Sequence, residues 1–527
     1  MSSKNKLIYC IEFLWLLSIL ILATVIYLHQ DLIGLFFNSD HVMFPSFFSD
    51  IFFNHGHYQD WVISPAPHFF PDMLLFPPFF FIIKNIYFQF LIAIWLMIII
   101  TYIALKLIYS QFFSIKTSTV FTLAALGSLF ILALKNVSPY MLALLPAVHI
   151  GEFLMGLFLI GIQLKILDTT KLSIKKYILG GISALITFCC SLSDLLFVEQ
   201  FAPPIFLAYS FLYFKKYIKF NQWLLFSSLV IFPGILGALL TKHLVPKDIL
   251  FDYLSHPSLI KVSFSSLSLQ LVLLIKIIKN ISNFFIICVF IIFYLSVFLF
   301  FYFIKLESTK NNIKFNDNIK IIFLNIFILC SVLISMISMC FLSNQGYVLD
   351  RYIIPFFFFP FLLFFPTQIY IFKSYQFITK IYIFIAYLIF IYILASLYNL
   401  FHKSDFKVNM NYYPPDIRCI DEVLRGHGHN GIAQYWDANY LTSLSKENLE
   451  IVPVNPDLTP MYWSINVRKF ENPISFIVLD KGNLFSLNKD IIYTKYGIPK
   501  KEVTCYTRKV LIYPKDSIKL SSKFVSD

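Results

Sequence analysis

The stretch 38–73 reads NSDHVMFPSFFSDIFFNHGHYQDWVISPAPHFFPDM and holds four carboxylates (Asp40, Asp50, Asp60, Asp72) and four histidines (His41, His55, His57, His68), with no Lys or Arg. Carboxylates and imidazoles are the groups that move protons or hold cations near neutral pH. Beside hydrophobic runs such groups are costly, so they mark a functional polar cavity by default; a solvated loop is the plainer alternative. Asp40 follows the first hydrophobic run directly. It can take a proton from a hydroxyl nucleophile held within hydrogen-bond reach, or it can cap a helix. In SPAPHFFPDM, three prolines stiffen the backbone around His68 and Asp72, which suits either a preorganised site or a structural elbow.

Three later segments add to this set. His149 and Glu152 stand three residues apart, which puts both on one helix face. Asp194 and Glu199 flank a further turn, and Asp350-Arg351-Tyr352 precedes a late apolar run. Arg351 is the only arginine before the C-terminal tail. Its planar fork fits a phosphate, or pairs with an acid such as Asp350. His55-Gly56-His57 and His427-Gly428-His429 look like turns and lack zinc-site spacing, so no residue is assigned to a metal. The chain has no phosphate-binding loop, dinucleotide fingerprint or nucleophile elbow.

The elements that must position these groups are membrane helices. Mean hydropathy is +0.74, with 58% hydrophobic and 13% charged residues, the composition of a multispanning membrane protein. The net charge of +13 comes from Lys in short loops between apolar runs, a topology signal and not a nucleic-acid footprint. The run from Leu7 to Leu28 is too long for a signal core and reads as an uncleaved first span. Spans are expected at 8–28, 86–109, 118–135, 147–166, 177–193, 196–214, 222–241, 281–304, 320–341, 353–372 and 381–399, about eleven in all. Segment 261–280, apolar but broken by Ser, Gln and two Lys, reads as an interfacial or re-entrant helix, with an ordinary span as the alternative.

Lys-rich loops alternate with acid-rich ones, which predicts a cytoplasmic N-terminus and chemistry on the opposite face. The expected division is a membrane domain over 1–400, with its first outer loop at 29–73, and an extracytoplasmic domain over 401–527. Those last residues, about 125 of them, suffice for one small α/β unit. Cys419 and Cys505 are the only cysteines in that tail, and in an oxidising compartment they are a plausible disulfide.

With its acid-bearing first outer loop, polar outer helix ends, Arg351-Tyr352 pair and external tail domain, the chain resembles the polytopic GT-C glycosyltransferases. In particular it looks like bacterial relatives of the protein mannosyltransferase and aminoarabinose transferase group. The resemblance implies a GT-C-like bundle in a bacterial inner membrane. It also implies inverting transfer of a sugar from a polyprenyl-phosphate carrier to an extracytoplasmic lipid, glycan or protein. Asp40 matches the position of the family's catalytic acid; His41 replaces the second acid of the paired motif, which leaves Asp50 or Asp72 as substitutes and a divalent metal open. On this reading Arg351 and Tyr352 bind the lipid phosphate, and His68, His149, Glu152 and Asp194 line the pocket. The alternative from another class is a transporter or lipid flippase with an outward acidic site; such proteins more often show repeats and midplane polar groups.

Overall fold

The computed structural model describes residues 3–29, 36–64, 66–75, 80–146, 149–167, 173–244, 284–308, 319–342, 350–368, 376–402, 407–480 and 486–520. The helices are α1 (Ser3–Leu28), α2 (Met43–Phe53), α3 (Ile86–Tyr109), α4 (Ile115–Leu134), α5 (Ile150–Leu167), α6 (Ile174–Ser193), α7 (Leu195–Phe214), α8 (Phe220–Leu244), α9 (Phe284–Ser308), α10 (Ile319–Leu342), α11 (Ile354–Leu362), α12 (Phe364–Thr367), α13 (Gln376–Phe401), α14 (Pro415–Leu424), α15 (Tyr435–Leu444) and α16 (Lys489–Tyr496). Apolar runs of this length become helices because hydrocarbon offers no partner for backbone N–H and C=O groups, and a helix satisfies them internally. Polar side chains then fix the ends. Asn85 accepts from Tyr87 N at 2.9 Å to cap α3, and Asp194 accepts from Leu196 N at 3.0 Å to cap α7.

Among the described residues nine helices are long and apolar enough to cross a membrane, so the chain is a multi-pass membrane protein. Of the two further expected spans, the one at 281–304 falls on the continuous helix α9, apolar over Phe285–Phe300. The run expected at 353–372 is a 3₁₀ turn at Asp350–Ile353 followed by α11 and α12, which break at Leu363. Pro360 and Pro366 lie within this run, and each removes a backbone donor and crowds the preceding turn, which favours the break. Segment 261–280 lies outside the described residues. Thr241 near the end of α8 donates to the Leu192 carbonyl at the end of α6, and Tyr294 of α9 donates to the Phe356 carbonyl of α11.

Aromatic side chains fill the interior, as in the stacked pair Phe121–Phe365 with ring centroids 4.2 Å apart. Helix α13, by contrast, leaves Phe384, Leu388, Ile391 and Tyr398 exposed, the surface expected against lipid.

After Phe401 the architecture changes. Strands β2 (Asn430–Ala433), β3 (Glu450–Pro453), β5 (Phe476–Asp480), β6 (Lys501–Cys505) and β7 (Arg508–Ile512) form one sheet in the order β3-β2-β5-β7-β6. Strand β2 is parallel to both β3 and β5, while β7 is antiparallel to β5 and β6. Helix α15 makes the β2–β3 crossover, as parallel neighbours require. Cys419 on α14 and Cys505 on β6 form a disulfide, Cα atoms 5.6 Å apart.

This domain grips the first loop. Strand β1 (Trp61–Val62) pairs antiparallel with β4 (Ile465–Asn466). Beneath that pair the buried Asp50 accepts from Trp61 Nε1 at 2.6 Å and Asn466 Nδ2 at 2.7 Å. Ser46 and Ser443 bond across the same seam at 3.1 Å.

Candidate functional site

The segments that carry the singled-out residues meet at one end of the bundle, against the C-terminal domain. At the centre are two histidine–carboxylate pairs. His68 Nδ1 lies 2.9 Å from Glu152 Oε1, and His149 Nδ1 lies 2.6 Å from Asp194 Oδ2. The two imidazoles face each other edge-on, centroids 5.0 Å apart. All four residues and Asp72 are buried.

Local chain geometry explains the convergence. His68 and His149 both take left-handed backbone angles, φ 52° and 67°, a conformation uncommon outside glycine that persists where surroundings over-determine it. The His68 N–H donates to the Ser193 carbonyl, and Ser193 Oγ accepts from Phe70 N at 2.9 Å. The proline-rich turn is thereby tied to the end of α6. His149 precedes α5, and Glu152 lies in its first turn. Between them Gly151 is required by space: a Cβ there would come 2.0 Å from Asp72 Oδ1. The carboxylate of Asp72 therefore rests on the N-terminal turn of α5, where unpaired N–H groups favour anions.

A second layer lies toward the C-terminal domain. Asp40 is half-buried, and its Oδ1 accepts from Tyr435 Oη at 2.5 Å. Ser39 donates its hydroxyl to the Tyr435 carbonyl. Burial, and then the adjacent Asp40 charge, pushes the Tyr435 phenol well up, which keeps it a donor. His41 is bonded through Nδ1 to the Pro146 carbonyl at 3.0 Å. Burial lowers His41 from its ordinary value, with Asp40 opposing and Arg351 adding to the effect. Burial likewise lowers His68, with Asp194 and Asp72 opposing and Arg351 reinforcing. Arg351 is thus within electrostatic reach of both histidines. It is half-buried, lies over the Tyr352 ring at 5.6 Å, and its Nε has no hydrogen-bond partner among the described residues. The Tyr352 ring is 5.9 Å from His149, and its carbonyl accepts from Gln200.

Asp40, His68, Asp72, His149, Glu152, Asp194, Arg351 and Tyr352 thus gather in one region. Asp50 does not join them: considered as a substitute base, it is instead held under Trp61 and Asn466. The HGH segments are not part of it either, since His55, His57, His427 and His429 are exposed. The sequence reading missed Tyr435, whose partner Asp40 is 395 residues away; only the docking of the tail domain reveals it. A separate open cleft of about 650 Å³ lies between α2 and the sheet domain, lined in part by Ser46, Lys84, His429 and Lys469. None of the gathered residues lines it.

Searches against family models and curated proteins give no match.

Proposed function

We propose that the chain is a membrane glycosyltransferase that moves a sugar from a polyprenyl-phosphate carrier to an acceptor hydroxyl, with inversion at the anomeric carbon. The observation that carries this reading is Arg351, whose Nε has no hydrogen-bond partner among the described residues and whose charge reaches His41 and His68. A planar cation with a donor unused there suits an anionic ligand, and phosphate matches its fork. In the proposed step the acceptor oxygen bonds to the anomeric carbon as the carbon–oxygen bond to phosphate breaks. The electron pair leaves with the polyprenyl phosphate, beside Arg351. The acceptor proton passes to Asp40. The Tyr435 hydroxyl occupies one oxygen of that carboxylate, leaving the other to act as base. A phosphate leaving group needs little protonation, so one base and one cation suffice. The bilayer supplies the carrier, and the acceptor would be a lipid, glycan or protein.

The test uses full-length protein in nanodiscs. Arg351→Ala is expected to weaken binding of polyprenyl phosphate by tenfold or more, and Arg351→Lys by less, because a point charge replaces a fork. Asp40→Asn should leave that binding intact yet lower sugar transfer by roughly a hundredfold or more, the scale of general-base assistance. Equal binding of polyprenyl phosphate by wild type and Arg351→Ala removes the phosphate site and with it the proposed reaction.

A further inference from the structure

The five buried groups near Asp40 include a carboxylate oxygen that no hydrogen bond among the described residues uses. Two sets of three, His68/His149/Asp194 and His68/Asp72/Glu152, each present one ligand atom per residue with all such atoms within 4.8 Å of one another. They share His68, so the two sets form one cluster. The direct pairings use Glu152 Oε1 and Asp194 Oδ2. Glu152 Oε2 has no partner among the described residues, and Glu152 is only 1% exposed. An unpaired carboxylate oxygen at that depth loses its hydration and gains nothing in return.

The carboxylates of Asp72, Glu152 and Asp194 sit together with the two imidazoles in this buried set. We infer that His68, Asp72, His149, Glu152 and Asp194 form a binding site for one divalent transition ion. The ligand types select the ion class. Imidazole nitrogen with carboxylate oxygen suits zinc and its neighbours, whereas magnesium and calcium favour all-oxygen sites. Ligand atoms around zinc stand about 2.0–2.2 Å from the ion, hence roughly 3.4 Å apart in a tetrahedron. Atoms within 4.8 Å therefore reach that arrangement by side-chain shifts on the order of 1 Å. The requirement for glycine at position 151 fits as well, since any side chain there would displace Asp72. The site stands near Asp40 and Arg351 and does not depend on the transfer reaction proposed for them.

The experiment is metal binding by the untagged full-length protein in detergent. The protein is stripped with a chelator, titrated with Zn²⁺ by calorimetry, and its retained metal is measured by elemental analysis. One Zn²⁺ per chain is expected. Co²⁺ in its place should give visible ligand-field bands. His68→Ala and His149→Ala should each weaken Zn²⁺ binding about 100-fold or more, above the range for outer-shell partners. Because either variant could misfold, Glu152→Gln is made alongside. It keeps the hydrogen bond to His68, should melt like wild type in chelator, and should weaken Zn²⁺ binding by about tenfold or more while changing the Co²⁺ spectrum. His55→Ala/His57→Ala/His427→Ala/His429→Ala removes the exposed histidines and should leave the high-affinity site unchanged. The inference is overturned if wild type shows no stoichiometric Zn²⁺ binding, if the exposed histidines account for the binding, or if Glu152→Gln binds Zn²⁺ and tunes Co²⁺ as wild type does. Each result reads binding, so it is separate from the fate of Asp40 in transfer.

Discussion

Replacing Asp50 tests how the tail domain is held against the membrane bundle. Its carboxylate is 4% exposed and accepts from Trp61 Nε1 at 2.6 Å and Asn466 Nδ2 at 2.7 Å. Lys469 Nζ is 3.9 Å away, too long for a strong pair. Asp50→Ala leaves two buried donors without an acceptor, each costing about 1–3 kcal/mol, so docking should weaken by about 2–6 kcal/mol. At 1.4 kcal/mol per tenfold, the lower bound raises the undocked population by roughly 30-fold. The control is Asp60→Ala. That residue pairs with the exposed Arg468 at 3.3 Å, and pairs of this kind contribute about 0–1 kcal/mol, less than roughly fivefold. Hydrogen–deuterium exchange of full-length protein reads the difference at the amides of β1 and β4, which protect each other. Exchange there should rise about 30-fold or more in Asp50→Ala and by less than about fivefold in Asp60→Ala. If the two variants exchange at the same rate, Asp50 is not the tie described here.

Two further perturbations probe the tail domain and the site's second layer. The Cys419–Cys505 bond closes a loop with a sequence separation of 86, which in the chain-entropy treatment stabilises by about 4–5 kcal/mol; Cys419→Ser/Cys505→Ser should sharply accelerate amide exchange in β6 and β7, and unchanged exchange would refute it. His41 is held below its ordinary value by burial, with Asp40 and the Pro146 carbonyl opposing and Arg351 and His68 reinforcing. Its unfolded form therefore binds a proton first as pH falls, so the stability it contributes is present above about pH 6.5 and declines below that, levelling off beneath the folded value. Thermal melts between pH 8 and 5 should fall less steeply for His41→Gln than for wild type, and parallel curves would remove His41 as a contributor.

The sequence alone determined that the chain is a helical multi-pass membrane protein followed by a compact mixed domain. Burial in hydrocarbon is a property of composition summed over about twenty residues, so runs such as Ile86–Tyr109 declare themselves without reference to the rest of the chain. It also singled out most of the site, because ionisable residues beside apolar helices are rare enough to stand out one at a time. Pairing was a different matter. That His68 meets Glu152 while His149 meets Asp194, that Asp50 is a strut, and that Tyr435 reaches Asp40 all depend on contacts between distant segments. The break at Leu363 was legible only in part, since Pro360 and Pro366 mark the run in the sequence while its apolar content does not say where the helix ends. Hydropathy and charge are read locally along the chain, but a hydrogen bond is directional and spans a few ångströms, so only the packed tertiary structure decides which donors and acceptors come within its reach.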